Sequence, residues 1–183
     1  MLRRECSRVF AMGQSMGGVL ALLLAACEPV DGLVTLSAPY RVNDPRRPLL
    51  PLIGLFAQTV PKGYNPETRR VFQERVMTEQ IRRGEKPIGH VSYSLWPAPA
   101  LRQFLVLLEQ LHAHAHDVTG PALLIHSRAD ETVPVENLRY IWEAIGSQDK
   151  ERLILERSGH VITEDCEHQA VFEAISTFVT ARL

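Results

Sequence analysis

Four short apolar runs, at residues 8–12, 33–37, 122–126 and 152–156, stand out along the chain; downstream, apolar positions recur every three or four residues in two longer stretches. Runs of that length read as buried strands, and the recurring positions make one face of a helix. The first run, Arg-Val-Phe-Ala-Met, passes through a glycine-rich turn into a stretch at 16–27 rich in Ala and Leu that stops before Pro29, since the residue ahead of a proline is driven out of helical geometry. The third run follows the breaker Gly120-Pro121, and the fourth ends at Ser158-Gly159. Pro134 suits a helix start, and Val135, Leu138, Ile141, Trp142 and Ile145 form an apolar stripe ending at Gly146. Val171, Phe172, Ile175, Phe178 and Val179 repeat the stripe near the C-terminus. Strands alternating with helices predict an α/β fold, a mostly parallel sheet flanked by helices. In such sheets ligands collect at the carboxyl ends of the strands.

Between Tyr40 and Ala98 the pattern breaks. Pro45, Pro48, Pro51 and Pro61 crowd its first part, a charged helix over 66–83 follows, and then a loop over 84–99. An apolar patch at 49–56, Leu-Leu-Pro-Leu-Ile-Gly-Leu-Phe, is out of character for a loop. We read 40–98 as a helical cap whose patch faces a cavity, set between core segments 1–39 and 99–183. A surface excursion packed on the core is the alternative.

At 183 residues the chain is one domain, large enough for a real core. A formal net charge of −1 gives no field to attract nucleic acid or an anionic membrane. The longest apolar run, at 19–27, is too short to span a bilayer. Cys6, Cys27 and Cys166 are odd in number and far apart, which fits reduced thiols and neither a disulfide framework nor a metal site.

The chemistry centres on Gly13-Gln14-Ser15-Met16-Gly17, followed by Gly18. A G-x-S-x-G turn between strand and helix lifts a serine hydroxyl clear of a sheet, its small neighbours letting the two backbones approach. A serine is a poor nucleophile without a base. In hydrolases of this architecture the order along the chain is Ser, then Asp or Glu, then His. Asp130 follows the third strand and His160 the fourth, so both fall on the same sheet edge as Ser15. Glu131 is the rival acid. Ser15 would attack a carbonyl, His160 would carry its proton, and Asp130 would hold the imidazole tautomer. The Met16 backbone N–H, at a helix N-terminus, would donate to the oxyanion.

GQSMGGVLAL, HSRADETVP and SGHVITED together resemble the α/β-hydrolase superfamily, and within it the bacterial carboxylesterase and monoacylglycerol lipase group. The resemblance implies an α/β-hydrolase fold and a cofactor-independent serine esterase of lipid metabolism, acting on short- to medium-chain esters or monoacylglycerols through an acyl-enzyme. Members of that superfamily place about four strands and a His-Gly oxyanion loop ahead of the nucleophile strand. Here that strand begins by residue 8 and no His-Gly pair occurs. The expectation is therefore an N-terminally truncated member, its first strand at an uncovered edge, weakly active by itself. A non-catalytic remnant and an acyltransferase are the alternatives within the fold.

A lipoprotein signal ending at Cys27 competes for the N-terminal segment, but Glu5, Arg8, Gln14, Ser15 and three glycines interrupt the apolar region it requires. The expected location is the cytoplasm. His112, His114 and His116 read as a solvated helix end and not as metal ligands, and Trp96 and Trp142 as packing residues. No metal or cofactor is expected, the one anticipated ligand being a small-molecule ester.

Overall fold

The computed structural model describes residues 4–42, 58–63 and 65–183. Four parallel strands form its centre: β1 (Phe10–Gln14), β2 (Gly32–Leu36), β5 (Ala122–Ser127) and β6 (Lys150–Leu155), lying side by side in that order. Between β2 and β5 come two three-residue strands, β3 (Thr59–Pro61) and β4 (Leu95–Pro97), which pair antiparallel with Val60 opposite Trp96. Among the described residues the helices are α1 (Met16–Cys27), α2 (Pro66–Arg82), α3 (Ala98–His114, prolonged by a 3-10 turn at Ala115–Asp117), α4 (Glu136–Ala144) and α5 (His168–Thr180).

Successive strand residues point to opposite faces, and the core divides accordingly. Ala11, Leu33, Ala122 and Leu124 pack against Val19 and Leu22 of α1, Leu108 and Leu111 of α3, and Leu138 and Ile141 of α4. Val34, Leu36, Leu123, Ile125 and Leu155 face the other way, onto Val171 and Phe178 of α5. β2 and β5 are buried along their whole length, which is why they read as unbroken apolar runs. Fully buried Leu22 and Ile141 each contribute about 1.5–3 kcal/mol through area removed from water. The segment 16–27 is thus a core helix, which is how the sequence uses the residues that a lipoprotein signal would claim.

Among the described residues β1 pairs with β2 alone and lies at the edge of the sheet, with Met12 57 % exposed. It also runs two residues beyond its expected end, because Gly13 and Gln14 continue the ladder opposite Thr35 and Leu36. β4 occupies part of the stretch read as a loop; a three-residue strand has no periodicity to detect, and Pro61 and Pro97 masked both partners. α2 matches the charged helix: Asn65 accepts from the Glu67 N–H at 2.9 Å as N-cap, with Pro66 at the first position. The apolar patch at 49–56 lies outside the described residues. Among those described, no helix is long and apolar enough to cross a membrane.

Buried Asn137 of α4 joins the chain leaving β2 to the core. Its Oδ1 accepts from the Tyr40 and Arg41 N–H groups at 2.8 and 2.7 Å.

Candidate active site

At Ser15 the chain turns from β1 into α1. The Ser15 N–H donates to Leu36 O at 2.8 Å, extending the sheet ladder, while its own carbonyl accepts from Gly18 and Val19 N–H to start the helix. Meeting both demands holds Ser15 at φ 55° and ψ −123°, a strained geometry of the kind found at catalytic turns and costing about 1–3 kcal/mol. A Cβ at Gly13 would sit 1.9 Å from the Gly17 carbonyl oxygen, and one at Gly18 would sit 2.7 Å from the Ala38 Cβ. These two glycines let strand and helix meet. A Cβ at Gly17 would meet open space, so sterics among the described residues do not require its glycine.

Asp130 follows β5 in a turn whose own backbone grips it. Its Oδ1 accepts from Thr132 N–H at 2.9 Å and Val133 N–H at 2.8 Å. Its Oδ2 accepts from His160 Nδ1 at 2.8 Å. Buried His126, on β5, donates through Nε2 to the Val133 carbonyl at 2.9 Å and stands 3.4 Å from the same Oδ2. The Asp130 side chain is fully buried. Burial works to raise its pKa, but the hydrogen bonds from His126, His160 and Val133 and the charge of His160 outweigh it, holding the carboxyl at about 2. Glu131 stays exposed at the cavity rim, so the acid that meets the imidazole is Asp130.

His160 Nε2 lies 2.9 Å from Ser15 Oγ. With Nδ1–H committed to Asp130, Nε2 is the acceptor and the serine hydroxyl donates to it. The three side chains are therefore joined Ser15–His160–Asp130 by two bonds of ordinary length. Met16, at the first position of α1, has its N–H among the groups a helix leaves without an internal partner.

The turn that presents His160 is itself tied on several sides. Glu167 accepts from the N–H groups of Glu156, Arg157 and Ser158, at 3.2, 2.9 and 2.7 Å, and from Ser158 Oγ at 2.8 Å. Burial pushes the Glu167 carboxyl up, yet these donors hold it below the usual range. Ser127 Oγ donates to the Ser158 carbonyl, joining the acid turn to the histidine turn. Thr163 Oγ1 donates to Gln14 Oε1 at 3.1 Å, joining the histidine turn to the end of β1.

Ser15 and His160 open into a cavity of about 560 Å³, bounded by Phe72, Trp96, Lys62, Arg69 and Thr132 among others. Trp96, read as core or cap packing, is brought to the cavity wall by the β3–β4 pair. Trp142 does pack on the core. At the end of α3, His112 donates to the Tyr40 carbonyl at 2.6 Å and His114 pairs with Asp117. His126, Asp165, Glu167 and Arg75 were given no role by the sequence reading. His126 and Asp165 stand inside the stretches HSRADETVP and SGHVITED that carry the resemblance, Glu167 lies two residues beyond the second, and Arg75 left no signal.

A sequence profile of the family described as serine aminopeptidase, S33, matches residues 2–167. The chain is 28% identical over 173 residues to a thermostable monoacylglycerol lipase of Bacillus sp. (strain H-257), and 24% identical over 173 residues to a carboxylesterase of Bacillus subtilis (strain 168). Those alignments cover 94% and 93% of this chain but 62% and 63% of the two relatives, so the chain spans under two thirds of their length. Among solved structures, one reported for the metagenome-derived lipolytic enzymes LipS and LipT superposes with a TM-score of 0.79 at 26% identity, covering 98% of this chain and 68% of that one. The monoacylglycerol lipase of Paleococcus ferrophilus superposes with a TM-score of 0.70 at 22% identity, covering 97% and 72%. Its sheet is that of the α/β hydrolases, and the chain belongs to the serine aminopeptidase S33 family.

Proposed function

We propose that the protein is a serine hydrolase that cleaves carboxylic esters, short- to medium-chain esters or monoacylglycerols, through an acyl-enzyme on Ser15. The unbroken relay from Ser15 Oγ through His160 to buried, ionised Asp130 carries this reading. Ser15 attacks the carbonyl carbon as its proton passes to His160 Nε2. The imidazolium is stabilised by Asp130 and returns the proton to the departing alcohol. Water repeats the sequence to release the acid. The Met16 N–H, at the positive end of α1, donates to the oxyanion. Residues 40–98 act as the cap, α2 and Trp96 bounding the chamber for the ester. The names of the relatives, a monoacylglycerol lipase and a carboxylesterase, agree with an ester substrate. Three free cysteines suit a reducing compartment, and we place the protein in the cytoplasm.

A fluorophosphonate probe tests the assignment. Labelling of the folded chain that disappears in Ser15→Ala, with hydrolysis of p-nitrophenyl butyrate lost in parallel, is the expected result. Folded protein that takes no label would favour a non-catalytic remnant. Cleavage of an aminoacyl p-nitroanilide in preference to the ester would move the substrate class to peptides.

A further inference from the structure

The turn bearing His160 is bound to the insert between β2 and β5 as well as to the core. Asp165, fully buried, takes a two-pronged contact from Arg75 of α2: Nε to Oδ1 and Nη2 to Oδ2, each 3.0 Å. The same two oxygens accept backbone N–H groups, Cys166 on Oδ1 and Gly159 on Oδ2, each at 2.7 Å. Gly159 is the residue immediately before His160. One carboxylate thus grips the backbone beside the imidazole and a guanidinium on α2 together. Neighbouring residues of α2 add to the contact. Gln73 holds both the N–H and the carbonyl of His90, at 2.7 and 2.8 Å, and the His90 ring donates to Glu164 at 2.8 Å, one residue before Asp165. Phe72 lies close enough to Gly159 that a Cβ there would meet it at 3.3 Å. Phe72, Gln73 and Arg75 also line the cavity that Ser15 opens into.

We infer that Arg75 and Asp165 are positioning residues for His160, through which the seating of α2 over the cavity sets the alignment of the imidazole with Asp130 and Ser15. The inference rests on the proton relay proposed above. A buried carboxylate that loses its cation is left as an uncompensated charge, and the planar fork of an arginine fixes orientation where a lysine fixes only charge. Displacing α2 therefore turns Asp165, and with it the Gly159 N–H and the imidazole that follows. A ligand entering the cavity touches α2 and reaches His160 by that path.

The test compares the full chain with Arg75→Met, Arg75→Lys and Asp165→Asn. One readout is the far-downfield proton resonance of the His160–Asp130 hydrogen bond, assigned by its loss in Asp130→Asn; the other is the rate of fluorophosphonate labelling. Arg75→Met is expected to broaden or shift the resonance and to slow labelling roughly 10- to 100-fold, the scale of a 1 Å misplacement. Arg75→Lys should fall between it and the parent. An ion pair that merely secures α2 would lower the melting temperature and leave the resonance unmoved. An unchanged resonance with parental labelling in Arg75→Met overturns the inference. Should Arg75→Met lose its cooperative thermal transition, Arg75→Lys and Asp165→Asn decide by the same readouts. If the parent chain takes no label, the hydrolase reading fails, and the resonance alone decides the positioning role.

Discussion

Replacing Asp130 by Asn changes one atom, and the structure dictates where that atom goes. Oδ1 faces two backbone N–H groups, from Thr132 and Val133, so the amide oxygen must remain there. The new NH2 then faces His160 Nδ1 and His126 Nε2, where the carboxylate had accepted. His160 can receive this donor only by giving up its Nδ1 proton, which moves the proton to Nε2, the nitrogen that should accept from Ser15. The imidazole is then well placed but in the wrong tautomer. The same exchange in chymotrypsin-type proteases lowers kcat about 10⁴-fold, about 5 kcal/mol of barrier, and that is the expected loss here. KM should stay within about threefold, since the interaction removed acts in the transition state. Folding stability near neutral pH should drop by about 2–3 kcal/mol, the linkage value of a buried carboxyl held at about 2. Turnover of p-nitrophenyl butyrate, normalised to labelled Ser15, measures the first quantity and urea unfolding the last. A loss under about tenfold in Asp130→Asn, with a large loss in Glu131→Gln, would refute the reasoning and move the acid to Glu131.

Gly13→Ala should cost more than about 4 kcal/mol in urea unfolding or prevent folding, given the 1.9 Å approach to Gly17 O, while Gly17→Ala should change stability by less than about 1 kcal/mol. Acid should weaken the fold through Asp130 with a definite sign. Its folded pKa, about 2, lies below an unfolded value near 3.9, so the contribution is whole above about pH 4 and is lost as pH falls toward 2. Urea midpoints at about pH 5 and about pH 2.5 should therefore differ less in Asp130→Asn than in the parent. Asn137→Ala should destabilise by about 2–3 kcal/mol, measured the same way, because it strips the acceptor from the Tyr40 and Arg41 N–H groups.

The sequence announced whatever is local or buried on both faces. The helix Met16–Cys27 has its expected limits, set by a strand-to-helix turn and a following proline. β2 and β5 appear as apolar runs because neither face meets water. Ser15, Asp130 and His160 were legible since each is a chemically distinctive residue just past a strand end, and the structure brings the three side chains into one hydrogen-bonded row. Arg75 and Asp165 were not: 90 positions separate them, and nothing in a lone arginine on a charged helix announces a buried partner. His126 was missed for a different reason. A histidine inside an apolar run passes for part of the strand, and its contact with Asp130 emerges only when the turn after β5 folds back. The β3–β4 pair escaped because three residues cannot display an alternation.

The register of the large sheet has a consequence for how such a molecule can change. Gln14 lies opposite Leu36, Leu36 opposite Ile125, and Ser127 opposite Leu155, so carboxylate and imidazole spring from the adjacent rungs β5 and β6, about 4.8 Å apart, and the hydroxyl from β1, one rung beyond β2. Polypeptide looped out between two rungs can grow, shrink or be exchanged without altering that spacing. The choice of which molecule enters is thereby separable from the act of breaking its bond, with one condition attached. A transplanted lid has to deliver a guanidinium to the carboxylate beneath it, or the rung bearing the imidazole loses its brace.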